Sequence, residues 1–370
     1  MKALNLLMIP TNYCNMKCKY CFFDKKSISE NRMSISTLKQ VMKIILPYYD
    51  RVSFVWHGGE PLSMGIDFYK SVIDIQKEYQ NKCNVKIKNT IQSNLTLLNK
   101  EYAEFLVLNH FGVGGSYDGI NNELTRGKTN KILQGRQIYE DAGGHCGLIF
   151  VASKLTVDTF IDSYNWFKSQ HINFKVNPYL GADMDLMLDY PYYTQKLIEL
   201  FQYWALDTDT PISISIYDWI IDFILFQKKH VCSYTSCLGK WASINYSGTI
   251  KPCNRYFPDE YSFGNIFDYD RFDQAFDSPG FKELIIQSIK RREKCKECRI
   301  FDYCSGGCNY VAMTENGGIE NNLGNHCECL LELYDYINDF INKNEGNPKL
   351  NTFIKKKFEL SYIKRRDKNE

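Results

Sequence analysis

The residues best suited to chemistry come early in the chain. Cys14, Cys18 and Cys21 stand in the run Cys14-Asn15-Met16-Lys17-Cys18-Lys19-Tyr20-Cys21. Three thiolates in so short a loop can wrap one small inorganic body, as loops that hold iron–sulfur clusters do. On a four-iron cube, three protein ligands leave one iron open to a ligand from outside the protein. A structural zinc ion wants four ligands, and no fourth Cys or His lies close by in the sequence. The chain holds 14 cysteines: three in this loop, Cys83 and Cys146 in the middle, and nine between Cys232 and Cys329. Residues Met1 to Pro10 lack the apolar stretch and small-residue cleavage site of a secretory signal. The expected use of these thiols is therefore metal ligation or redox chemistry rather than disulfides, in two separate regions of a cytoplasmic protein.

An open iron needs a pocket, and the elements that would build one are legible. From residue 3 to about 207, short apolar or β-branched runs alternate with helical stretches. Strands are predicted over Ala3–Ile9, Val52–Trp56, Val85–Gln92, Gly112–Tyr117, Cys146–Ala152 and Ile172–Asn177. The first helix shows Leu38, Val41, Met42 and Ile45 on one face, with Ser36 as its N-cap. Others begin near Asp67, Lys100, Thr129, Val157 and Tyr193. Six strand–helix units imply a parallel sheet with right-handed crossovers. A closed eight-unit barrel needs about 250 residues, so the fold class is α/β, an open partial (β/α)6 TIM-like barrel. A doubly wound sheet is the alternative.

In parallel α/β folds chemistry gathers beyond the C-terminal strand ends. There stand the cysteine loop, His57-Gly58-Gly59-Glu60-Pro61, Gln92-Ser93-Asn94, Ser116-Tyr117-Asp118-Gly119 and Asn177-Pro178-Tyr179. Five polar segments on one rim suit a small polar cofactor. Lys+Arg number 45 against 43 Asp+Glu, a net charge of +2, and no apolar run reaches the length of a membrane span. Neither nucleic acid nor a membrane is the expected partner.

Residues 1–207 form the expected barrel, 208–231 a linker with an aromatic helix over Tyr217–Phe226, 232–335 a cysteine-rich domain, and 336–370 a helix and basic tail. In the third region Cys237 is followed by Gly248 and Cys253, then by Cys295-x2-Cys298-x5-Cys304-x3-Cys308 and by Cys327. Few helical runs are expected there, because metal rather than a large core would hold the fold. A zinc ribbon fits part of this spacing. Cys83 and Cys146 read as small buried core residues, and His57 and His326 as structural.

The N-terminal cysteines with Tyr20, followed by Gly58-Gly59-Glu60-Pro61, resemble the radical S-adenosylmethionine (SAM) enzymes, and the C-terminal spacings are similar to the SPASM domain of radical SAM peptide modifiers. The resemblance implies a [4Fe–4S] cluster on Cys14, Cys18 and Cys21 whose open iron takes the amino and carboxylate groups of SAM. One-electron cleavage then gives a 5′-deoxyadenosyl radical. It further implies that Tyr20 lies near the adenine and that Gly59 and Glu60 border the methionine amine, with Gly58 and Asn94 in the same cofactor-binding set. Ser116 and Arg126 meet the carboxylate or ribose, and Tyr179 joins from the strand-six loop. The family pattern gives two auxiliary [4Fe–4S] clusters, one on Cys232, Cys237, Cys253 and Cys308, the other on Cys295, Cys298, Cys304 and Cys327. Cys329 competes for the last place.

Two kinds of enzyme share this layout. Anaerobic sulfatase-maturating enzymes oxidise Cys or Ser to formylglycine; maturases of ribosomally made peptides forge thioether or carbon–carbon cross-links. In the former an acidic residue, proposed as general base, follows the cysteine of the G-x4-C motif. Asn254 stands at that position and cannot accept a proton at any working pH. Phe22-Phe23 also replaces a tyrosine that those relatives carry after the third cysteine. The sequence reading therefore favours a cross-linking peptide maturase, with formylglycine formation as the alternative and a non-enzymatic zinc or electron-transfer protein as the alternative of another class. The expected partners are a peptide or protein substrate and a donor such as flavodoxin or ferredoxin. Many such maturases carry an N-terminal leader-binding domain, whereas the first strand here starts at residue 3, so recognition falls to the barrel rim, the SPASM surface or another protein.

Overall fold

The structure is a computed structural model and describes residues 2–23, 30–207, 212–235 and 237–344. Strand β1 (Ala3–Ile9) leads to α1 (Ile35–Ile45). The alternation continues through β2 (Arg51–Trp56), α2 (Ile66–Cys83), β3 (Lys86–Gln92), α3 (Lys100–Leu108), β4 (Gly112–Ser116), the single turn α4 (Asn122–Thr125), α5 (Thr129–Asp141), β5 (Cys146–Ala152), α6 (Phe160–Ser169), β6 (Phe174–Pro178) and α7 (Tyr190–Leu206). The six strands are parallel and lie in chain order from β1 to β6. A doubly wound sheet reverses its order at a switch point. This one does not, so the fold is the partial TIM-like barrel.

Successive side chains of a strand point to opposite faces. Leu4, Leu6 and Met8 of β1 and Leu148 and Phe150 of β5 share one apolar core with Leu38, Val41, Met42 and Ile45 of α1. The other face, carrying Leu7, Gln92, Ile149, Lys175 and Asn177, lines an interior cavity. Trp56 is wholly buried and its indole N–H donates to Asn89 Oδ1 at 3.0 Å, so the largest core side chain leaves no donor unpaired.

Beyond α8 (Ser215–Phe226) the structure departs from the sequence reading. The strand–helix rhythm does not simply stop at residue 231. Strand β7 (Trp241–Asn245) joins the barrel sheet parallel to β1, placing Ala242 opposite Leu6 and Ile244 opposite Met8, and β8 (Ile250–Lys251) folds back antiparallel. The sheet therefore runs across the boundary expected at residue 232. Nor is this region poor in helix: it holds α9 (Pro279–Cys295), α10 (Phe301–Cys304), α11 (Asn309–Asn316) and α12 (Asn325–Lys343). Ser278 caps α9, accepting from the Phe281 N–H at 3.3 Å, and Pro279 fills the first helical position.

Smaller differences are local. Ser34, not Ser36, caps α1, accepting from the Thr37 N–H at 3.0 Å. Cys83 lies exposed at the end of α2 rather than in the core, while Cys146 is buried as expected. The basic tail beginning near Leu350 and the turn at 208–211 lie outside the described residues. None of the described helices is long and apolar enough to cross a membrane.

Candidate active site

The chain leaves β1 at Ile9 and turns into the cysteine loop at the barrel rim. Thr11 anchors the turn: its hydroxyl donates to the Asn31 carbonyl at 2.8 Å and accepts from the Tyr13 N–H at 3.0 Å. The segment after β2 is laced to the same turn, with Gly59 N–H donating to Thr11 O at 3.1 Å and Glu60 N–H to Tyr13 O at 2.7 Å. A Cβ added at Gly59 would lie 2.1 Å from the Tyr13 carbonyl oxygen, so only glycine allows the two backbones to touch.

Glu60, which the resemblance sets beside the methionine amine, is anchored through its side chain. Its buried carboxylate accepts from the Leu62 N–H at 3.0 Å, the Ser93 hydroxyl at 2.8 Å and the Asn94 N–H at 2.7 Å. It ties the end of β2 to the end of β3 and does not line the cavity. Asn94 passes the support on, donating to Asn15 Oδ1 at 2.8 Å and to Cys14 Sγ at 3.7 Å. From the opposite side Lys128 Nζ donates to Asn15 O at 2.6 Å and Lys19 N–H to Thr125 O at 2.9 Å. Both flanks of the loop are therefore clamped.

Of the eight cofactor-binding residues expected, all but Glu60 line one cavity of about 600 Å³. Arg126 reaches in and donates to the Tyr20 hydroxyl oxygen at 2.6 Å, while its Nε is buried with no hydrogen-bond partner. Ser116 accepts from Gln92 Nε2 at 3.1 Å. Asp118, which the sequence reading did not single out, lies wholly buried behind this corner and accepts from the Thr125 hydroxyl at 2.7 Å and the Val151 N–H at 3.0 Å. Three thiols, bare glycine backbone and an unsatisfied guanidinium nitrogen facing one cavity suit a small cofactor carrying an amine and a carboxylate on an iron–sulfur cluster.

The cavity extends to Cys232, Cys237, Cys253 and Cys308. Burial is the main cause that raises Cys232, Cys237 and Cys253, pushing Cys237 up to about 12 and Cys253 up to about 11, and each of these three also feels Cys308. Burial likewise pushes Cys304 up to about 11, with Cys298, Cys327 and Cys295 adding to it. At the barrel rim burial takes Cys14 up to about 11, with smaller contributions from Cys18 and Cys21. The electrostatic neighbourhoods thus divide eleven cysteines into three groups. Cys327 accepts from the Leu323 N–H at 3.3 Å and sits near Cys295 and Cys298, whereas Cys329 is buried against Thr194 of α7. Among the described residues no three His, Cys, Asp or Glu side chains converge closely enough to hold a single metal ion. Asn254 lines the cavity, and its Oδ1 lies 3.2 Å from Cys253 Sγ. Lys175, Trp219 and Arg255 line the same cavity and were missed from sequence, because nothing in an isolated strand or turn tells which side chain a barrel will turn inward.

Residues 8–167 match the radical SAM superfamily, and residues 232–299 match an iron–sulfur cluster-binding domain, SPASM. The chain thus carries a radical SAM domain followed by a SPASM domain, which make it a radical SAM oxidoreductase and imply SAM and iron–sulfur clusters as its cofactors. It is 29% identical to the cysteine-type anaerobic sulfatase-maturating enzyme of Clostridium perfringens (strain 13 / Type A), over 91% of this chain and 96% of that protein. The solved structure of native anSMEcpe with bound AdoMet and Cp18Cys peptide superposes with a TM-score of 0.83 at 27% identity, covering 93% of this chain and 99% of that one. Streptococcus suis SuiB bound to precursor peptide SuiA shares the fold, with a TM-score of 0.60 at 18% identity over 88% of this chain and 76% of that one.

Proposed function

We propose that this radical SAM maturase oxidises a cysteine or serine side chain of a peptide or protein to formylglycine, as sulfatase-maturating enzymes do. The observation that carries the reading is likeness over nearly the whole of both chains to a structure holding AdoMet and a peptide. That likeness reverses the order suggested by Asn254 and Phe22-Phe23. Cross-linking remains the second reading, favoured by the absence of any carboxylate at the Asn254 position.

In this proposal Cys14, Cys18 and Cys21 hold the SAM-binding cluster. Cys232, Cys237, Cys253 and Cys308 hold one auxiliary cluster, and Cys295, Cys298, Cys304 and Cys327 the other. The chain divides functionally into a barrel over 1–207, a linking helix, and an auxiliary-cluster region over 232–335. When bound, SAM and its cluster together supply hydrogen-atom abstraction. The chain's residues do the rest. Gly58 and Gly59 offer backbone at close range, Arg126 orients a carboxylate, Tyr20 borders the adenine, and Ser116 and Tyr179 complete the pocket. Oxidation removes a hydrogen atom, a proton and an electron from the target side chain. An auxiliary cluster held by Cys232, Cys237, Cys253 and Cys308 would supply an acceptor for that electron, and the proton would leave to solvent. With cysteine, water would then replace the sulfur, released as hydrogen sulfide, whereas serine would give the aldehyde directly. A small reduced flavodoxin or ferredoxin is the proposed donor.

The test is anaerobic reconstitution, with iron counting, followed by incubation with SAM, reductant and a cysteine peptide. About twelve irons per chain, 5′-deoxyadenosine and a peptide aldehyde trapped by a hydrazide are expected. 5′-Deoxyadenosine with a peptide that has lost two hydrogens and bears no aldehyde would establish the cross-linking reading instead.

A further inference from the structure

Two cations inside the cavity have no assigned task. Lys175 is an inward-facing residue of β6, and its Nζ stands 5.0 Å from the centre of the Trp219 ring. Arg255 follows Asn254, and its guanidinium carbon lies 4.9 Å from the centre of the Phe22 ring and 5.6 Å from that of Tyr310. Among the described residues neither has a hydrogen bond or ion pair with a carboxylate. None of the cavity-lining residues is Asp or Glu. Two cations held against aromatic faces in a chamber without carboxylates are arranged for an anion that arrives from outside.

We infer that this chamber recognises a carboxylate of the peptide substrate, either an Asp or Glu side chain or a free C-terminus, which Lys175 and Arg255 receive together. The inference rests on the reading that the substrate is a peptide but not on the product formed from it. Burial pushes the Lys175 ammonium down from its ordinary range, and an incoming carboxylate would relieve that penalty. Arg126 is not part of this pair, since it is committed to Tyr20 at the SAM end. The rival account is that Lys175 and Arg255 merely balance the negative charge of a cluster on Cys232 and Cys253.

The experiment measures binding by fluorescence anisotropy on the reconstituted protein with SAM. Three labelled, cysteine-centred nonapeptide libraries serve as probes. One has Asp/Glu flanks and an amidated C-terminus, one Asn/Gln flanks and an amidated C-terminus, and one Asn/Gln flanks with a free C-terminal acid. At low salt the library bearing the recognised carboxylate binds about tenfold tighter than the all-amide library, and which acidic library shows this identifies the source. Lys175→Met and Arg255→Gln each remove most of the preference at unchanged iron content, and Lys175→Arg keeps it. Equal binding of all three libraries overturns the proposal. So does a preference that survives both substitutions while iron content falls, which is the result expected of charge balance. Binding is read without turnover, so a failure of formylglycine formation leaves this outcome legible.

Discussion

The cysteine loop after β1 borrows its order from the barrel: its neighbours are strand ends, and its clamps are backbone and side-chain hydrogen bonds from segments next to the sheet. The C-terminal cysteines are held otherwise. Between Cys304 and Cys308 the residues Ser305, Gly306 and Gly307 all take positive φ (52°, 81° and 71°), the left-handed region that glycine tolerates best. The carbonyls of Gly306 and Gly307 turn toward one guanidinium, that of Arg291 on α9, only 1% exposed. It donates to Gly306 O at 2.7 Å, Gly307 O at 3.3 Å and Asn309 Oδ1 at 2.5 Å, and also to Ile319 O. Burial works against its charge, and Cys308, Cys295 and Cys237 offset that, so one cation serves cysteines of both C-terminal groups. A scaffold built on a sheet spreads its risk over many weak links, while one built around a buried ion concentrates it.

Cutting either region at its thiols should separate them most sharply. Cys18→Ala is expected to lower 5′-deoxyadenosine formation by ~10³-fold or more while the C-terminal iron stays. Cys304→Ala should lose C-terminal iron and keep SAM cleavage. Iron counting and chromatography of the nucleoside check both, and equal iron loss in the two variants would erase the contrast. Arg291→Met should destabilise by about 3 kcal/mol, because four buried acceptors lose their donor. Denaturant midpoints and iron content would show it, with loss confined to the C-terminal groups. Gly59→Ala tests the barrel side. Its Cβ would stand 2.1 Å from a backbone oxygen, and overpacking of this kind costs about 1–3 kcal/mol. Equilibrium dialysis should also report weaker SAM binding.

The smallest expected effect is pH-dependent. Burial, and then Arg255, hold His57 down at about 4 from 6.5, beside Phe22 and Phe23. The unfolded chain takes up its proton first, so this residue's contribution is fully present above pH 6.5 and is lost as pH falls toward 4. From pH 7 to pH 5 about 1–2 kcal/mol should disappear. Denaturation of His57→Gln over the same range should be flatter; an unchanged slope would place the titrating group elsewhere.

The barrel was legible because its strands repeat with period two and its first helix with period 3.6, and because chain order alone separates a barrel from a doubly wound sheet once pairing is seen. The three-cysteine loop was legible for the same local reason. The anchoring of the Glu60 carboxylate was not legible, because its partners, Leu62, Ser93 and Asn94, are brought together only by folding. Arg291, Lys175 and Arg255 were invisible: a basic residue in a helix, strand or turn reads as solvated until the tertiary packing that buries it is known. The contribution of β7 to the sheet was hidden likewise, since a strand of five residues in a cysteine-rich stretch carries little periodic signal.

That shared strand has a consequence for how the protein must be made. Until residues 241–245 emerge from the ribosome, β1 is an unprotected sheet edge with its cysteine loop attached. A chain stopped at residue 207 would keep that edge bare, and it should aggregate, or recruit foreign strands, rather than behave as an isolated barrel.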